Sequence, residues 1–136
     1  MRKPRLLIAE DEEGVREALR LVLGEIYEVE TAIDGNEALS KLKHERFDAV
    51  LLDIKMPKLS GLDVMRRLQQ EKVAAPPILV LTAYQSVELA KEAVKLGAID
   101  YLPKPFERQH LLDAVRDAVK DSHTKKADAS GEKDHR

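Results

Sequence analysis

The chain contains no cysteine. A disulfide framework, a thiolate nucleophile and a cysteine-based zinc site are therefore all excluded. Histidine is sparse and scattered: His44, His110, His123 and His135 are far apart, and the last two lie in a polar stretch, so a histidine-built metal site is not expected. Long hydrophobic runs are missing as well. The first apolar run covers only residues 6–9 before acids begin, too short for a signal peptide or a membrane span, and the cytoplasm is the default expectation. Nor is there a large excess of one charge. The formal net charge is -2, so the chain as a whole is not expected to bind nucleic acid.

What remains is an ordinary globular balance. The 136 residues are 43% hydrophobic and 35% charged, enough for one domain with a real core. Short apolar runs alternate with segments of helical period. Residues 6–9, 49–52 and 78–81 are almost wholly Leu, Ile, Val and Ala, the mark of strands buried on both faces. Residues 27–32 alternate and suit a strand near an edge, and a short strand is expected around residues 100–102. Between them, helical stripes appear: Val15, Ala18, Leu19, Val22 and Leu23; Ala38, Leu39 and Leu42; Val64, Met65 and Leu68; Val87, Ala90, Ala93 and Val94; Leu111, Leu112, Val115 and Val119. Five strand–helix units predict an α/β fold: a parallel sheet with crossover helices on both faces. The domain is expected over residues 1–120. Residues 121–136 are polar and charge-mixed and read as a disordered tail or linker.

In open parallel sheets, sites form beyond the carboxyl ends of the strands. Glu10 and Asp11 follow the first strand, Asp53 the third, Thr82 the fourth and Lys104 the fifth. Each has a plain alternative: acids before a helix favour its dipole, Asp53 could end a strand, Thr82 could cap a helix, and Lys104 between prolines could be a surface turn. Those alternatives do not explain why all five meet on one rim. Three carboxylates at close range raise one another's pKa or need a cation, and a hard dication such as Mg2+ suits a site with carboxylates, waters and phosphate oxygens. With such an ion, Asp53 could serve as a carboxylate nucleophile toward a phosphoryl group, and Lys104 and Thr82 could receive its oxygens.

The stretches LLIAEDE, VLLDIKMPKLSGLDVMRRL, ILVLTAY and GAIDYLPKPF carry a resemblance. Over residues 4–120 the sequence resembles the response-regulator receiver family of two-component signalling. The resemblance implies a doubly wound, flavodoxin-like three-layer sandwich with five parallel strands in the order 2-1-3-4-5 and five helices. It implies a phosphoryl group accepted on Asp53 from a sensor histidine kinase or phosphotransfer protein. Mg2+ would be ligated by Asp11, Asp53 and the backbone carbonyl of Lys55, with Glu10 acting through a metal-bound water. The family more often has Asp at the Glu10 position. Lys104 would contact the phosphoryl group, and its bond to Pro105 would be cis. Thr82 and Tyr101 would be the switch residues, and Lys55 and Tyr84 would tune phosphoryl lifetime. The face of the fourth helix, fifth strand and fifth helix would be read by an effector domain, an output protein or a second copy. Such a domain catalyses only its own phosphorylation and dephosphorylation.

Two rivals share part of this pattern. A haloacid-dehalogenase-type phosphatase also uses an Asp, a Thr or Ser, a Lys and Mg2+, but needs an acid two residues after the nucleophile, where this chain has Lys55. A degenerate receiver that works without phosphorylation would lack some of the five site types, and all are present.

Overall fold

A computed structural model describes residues 2–83 and 87–131, with side chains as far as Ser122. Five strands alternate with five helices: β1 (Arg5–Ala9), α1 (Glu13–Leu23), β2 (Glu28–Ala32), α2 (Gly35–His44), β3 (Ala49–Asp53), α3 (Gly61–Gln70), β4 (Ile78–Ala83), α4 (Val87–Lys95), β5 (Asp100–Lys104) and α5 (Arg108–Gly131). All strand pairs are parallel, and the sheet order is β2-β1-β3-β4-β5, as the sequence pattern and the resemblance imply.

Side-chain alternation along each strand divides the interior in two. Leu7, Ala9, Val50, Leu52, Ile78 and Val80 point to one face, where they meet α2, α3 and α4 through residues such as Leu39, Leu42, Val64, Met65 and Ala93. Leu6, Ile8, Ala49, Leu51, Leu79 and Leu81 point to the other, against Leu19 and Leu23 of α1 and Leu111 and Val115 of α5. All five residues of β3 are buried, which is why its run carries no polar residue before Asp53. Truncating a fully buried leucine such as Leu51 would cost about 3 kcal/mol, within the usual range for leucine-to-alanine changes in a core.

Several boundaries differ from the sequence expectation. β2 begins at Glu28. Tyr27 precedes it and is buried in the α1–α5 core instead of pairing in the sheet. Thr82 and Lys104 stand inside the last residues of β4 and β5, not after them. On α4, Ala90 and Ala93 are buried while Val87 and Val94 stay about half exposed, so the helix sits on a narrower stripe than its sequence suggests. Residues 121–131, expected as tail, continue α5 without a break to Gly131, and Ser122 is still buried. Lys and Ala in that stretch are good helix formers and no proline interrupts it, so helical backbone propagates beyond the core.

Two glycines fix the loop after β3. A side chain at Gly61 would lie 2.4 Å from the Asp53 carbonyl oxygen, and one at Gly35 would lie 2.0 Å from that of Leu59. The chain can therefore fold α3 and α2 tightly back against the end of β3. Ser60 then caps α3 by accepting from the Asp63 N–H at 3.1 Å.

Candidate functional site

Strand register assembles the site. Ala9 pairs with Leu52, so Glu10 leaves β1 beside Asp53. Asp53 pairs with Leu81, which brings Thr82 to the same edge, and Ala83 pairs with Lys104. Glu10, Asp11 and Asp53 gather so that one carboxylate oxygen from each lies within 4.8 Å of the others. Asp11, Glu12, Asp53, Ile54, Lys55, Thr82, Ala83 and Lys104 line a cavity of about 260 Å3. All five residue types expected from strand ends thus reach one place.

Lys104 is the cation of this group. Its Nζ lies 2.7 Å from Glu10 Oε1, 3.0 Å from Asp53 Oδ2 and 3.7 Å from Glu12 Oε1. Burial alone would lower the lysine's pKa, but the Glu10 and Asp53 carboxylates outweigh it and hold the ammonium above its ordinary value. The bond from Lys104 to Pro105 is cis, as the resemblance implies. The Lys55 N–H donates to Asp53 Oδ1 at 3.2 Å.

Glu10 is the most stressed acid. It is completely buried, and burial pushes its carboxyl up to about 7, although Lys104 and the Glu12 N–H pull it down; the Asp53 charge adds to the rise. Oε2 accepts from Glu12 N at 3.1 Å. Oε1 has the ion pair with Lys104 at 2.7 Å and no hydrogen bond besides it. A buried carboxylate oxygen without a hydrogen bond, beside two more acids, is a donor set with unused capacity for a hard cation. These residues therefore fit Mg2+, and the extra methylene of Glu at position 10 reaches toward Lys104.

The remaining expected residues are placed as follows. Thr82 is buried, with its hydroxyl donating to the Ala83 carbonyl at 3.3 Å. Tyr101 on β5 points outward and is 43% exposed. Tyr84, expected to influence phosphoryl lifetime, lies outside the described residues. Two contributors were not anticipated from the sequence. Glu12 joins the Lys104 ion-pair group. Arg16 Nη1 donates to the carbonyl oxygens of Glu10 at 3.0 Å and Asp11 at 3.3 Å. Glu12 was legible in principle, as the third of four successive acids. Arg16 carries no such signal, because its target is backbone.

Comparison with known proteins agrees with this geometry. The sequence model of the response regulator receiver domain matches residues 6–116. Response regulator MprA of Mycolicibacterium vanbaalenii is 44% identical over 129 residues, covering 94% of this chain and 54% of that protein. The chain thus spans about half the length of the curated relatives it matches. Among solved structures, the receiver domain of Francisella response regulator 1452 superposes with a TM-score of 0.81 at 29% identity, covering 88% of this chain and 99% of that one. Full-length FixJ from B. japonicum gives 0.84 at 30% identity, covering 98% of this chain and 66% of that one.

Proposed function

The chain belongs to the response-regulator receiver family, and from that premise we propose that Asp53 accepts a phosphoryl group from the phosphohistidine of a sensor histidine kinase or a phosphotransfer protein. The observation that carries this reading is the opposition of charges at the sheet rim: three acids within 4.8 Å on one side and Lys104 3.0 Å from Asp53 on the other. An Asp53 oxygen forms the new bond to phosphorus while the bond from phosphorus to the donor imidazole breaks, and the leaving ring nitrogen keeps the electron pair. Asp11, Asp53 and the Lys55 carbonyl would hold Mg2+, with Glu10 acting through a water. When bound, the ion supplies positive charge that lets an anionic phosphoryl group approach an anionic carboxylate. Lys104 gives up part of its pairing with Glu10 and Asp53 to meet a phosphoryl oxygen, and the Thr82 hydroxyl exchanges the Ala83 carbonyl for another.

That exchange is the switch. Moving Thr82 opens room behind it, Tyr101 turns inward, and the surface of α4, β5 and α5 changes shape. Val87, Val94, Ile99 and Tyr101 are the exposed apolar residues there. An effector domain, an output protein or a second copy reads this surface. The domain is a signalling module rather than an enzyme with an external substrate. Among the described residues no helix is long and apolar enough to cross a membrane; action in the cytoplasm is part of the proposal. Incubation with acetyl phosphate and Mg2+ tests the reading: intact mass should rise by one phosphoryl group, and the gain should vanish in Asp53→Asn. A phosphoryl gain that survives this substitution would reject Asp53 as acceptor.

A further inference from the structure

We propose that Arg16 is a positioning residue for metal binding, acting by fixing the backbone on both sides of Asp11. This rests on reading Glu10, Asp11 and Asp53 as the Mg2+ site. Asp11 is exposed, so packing does not aim its side chain. Among the described residues its carboxylate has no hydrogen-bond or ion-pair partner, unlike those of Glu10 and Asp53. What is fixed of its geometry is therefore the Cα–Cβ bond, which the main chain sets.

The Glu10 carbonyl belongs to the peptide plane entering the Asp11 Cα, and the Asp11 carbonyl to the plane leaving it. Arg16 Nη1 holds both, at 3.0 and 3.3 Å. Fixing two successive planes fixes φ and ψ between them, and with them the bond from Cα to Cβ. The turn is anchored elsewhere on its flanks, where Glu10 N–H donates to the Ala32 carbonyl at 3.0 Å and Arg16 N–H to the Glu12 carbonyl at 2.9 Å, and by the Glu12 N–H, which donates to Glu10 Oε2 at 3.1 Å and so ties the plane leaving Asp11 to a carboxylate of the proposed metal site itself. Without the guanidinium, the plane leaving Asp11 keeps only its Glu12 N–H bond to the Glu10 carboxylate, a group the ion itself draws on, and the turn around Asp11 must be ordered again each time an ion binds.

Charge and positioning predict opposite signs, which makes the idea testable. Arg16 is a cation near a dication site. If it acted by charge alone, removing it would tighten Mg2+ binding. If it positions Asp11, removing it weakens binding, and loss of a residue that orients a ligand commonly costs about tenfold or more in metal affinity. The experiment is calorimetric titration of Mg2+ into the intact metal-free chain, with beryllofluoride uptake by the wild type as the check on the site itself. Wild type without either response would fail the underlying reading rather than this inference.

With wild type responding, Arg16→Gln should raise the Mg2+ dissociation constant about tenfold. Arg20→Gln, one turn further along α1, should leave it unchanged or slightly lower. Arg16→Lys keeps the charge and one donor group and should fall between wild type and Arg16→Gln. Binding by folded Arg16→Gln as tight as wild type or tighter would overturn the proposal, as would an equal weakening by Arg20→Gln. Should Arg16→Gln fail to fold, Arg16→Lys decides: weaker than wild type supports positioning, and equal affinity overturns it.

Discussion

The two ends of the sheet each centre a group of carboxylates on a basic side chain, yet they are built for different ends. At the amino edge, Arg5 pairs with Glu28 at 3.2 Å and Glu45 at 2.9 Å, contacts Glu30, and lies over the Phe47 ring at 4.7 Å. Lys41 takes up the rest of Glu30 at 3.4 Å. These acids are 32–56% exposed, so water shares the load. At the carboxyl edge, Lys104 faces Glu10, Asp53 and Glu12, but Glu10 is fully buried and one of its oxygens lacks a hydrogen bond. Arg5 Nε, like Glu10 Oε1, is buried with an ion pair and no hydrogen bond, so the difference lies in exposure: solvent reaches the acids of the first cluster and makes it a fastening. Burial and an excess of acid make the second a site with a charge imbalance that the proposed dication and incoming phosphoryl group would relieve.

The sharpest way to separate the two clusters is to remove one member from each. Asp53→Asn should abolish phosphoryl uptake while changing unfolding free energy by no more than about 1 kcal/mol, since Glu10 still pairs with Lys104. Arg5→Ala should do the reverse. It leaves Glu28 and Glu45 uncompensated, weakens the hold on Glu30 and strips the cover from Phe47, so chemical denaturation should show a loss of about 2 kcal/mol with phosphoryl uptake by the folded protein intact. A loss of uptake in folded Arg5→Ala would erase the distinction.

The clusters should also respond oppositely to pH. Glu10 has its carboxyl raised from 4.5 to about 7 chiefly by burial. The folded protein therefore binds more protons than the unfolded chain between those values, and this group makes stability fall as pH rises through that window. Glu30 is lowered: burial raises it, but hydrogen bonds from Lys41 and Arg5 outweigh that. Its contribution is present above its unfolded value and is lost as pH falls through the folded one. Denaturation of metal-free protein across the window should show a falling component that Glu10→Gln removes and Glu30→Gln leaves in place. A component untouched by Glu10→Gln would contradict the assignment. The smallest effect is expected at Glu28, whose side chain is 56% exposed: Glu28→Gln should change stability by less than about 0.5 kcal/mol.

The carboxyl-edge cluster was legible in the sequence because parallel strands end together. Once residues 6–9, 49–52 and 78–81 are read as strands, Glu10, Asp53 and Thr82 must share a rim. Lys104 between Pro103 and Pro105 is marked by its neighbours. The amino-edge cluster was not legible, because Arg5, Glu28 and Glu45 are far apart in sequence and their meeting depends on how β2 and α2 return to the start of β1. Arg16 escaped for a related reason, since its partners are carbonyl oxygens that leave no trace in residue type. The long α5 departs from expectation because composition speaks to burial, and a charged stretch rich in Lys and Ala can be helical without a core to cover. The half-exposed Val87 and Val94 show the same limit from the other side: a helical period reveals a stripe but not how much of it the sheet covers.

The most direct test of the central claim is beryllofluoride titration followed by backbone NMR, with and without Mg2+. Amide shifts confined at first to Asp53, Lys55, Thr82 and Lys104, spreading to α4 and β5, and appearing only when Mg2+ is present, are what a metal-dependent phosphoacceptor at this rim predicts. Shifts that appear equally without the ion, or that leave Asp53 and Lys104 unmoved, would contradict it.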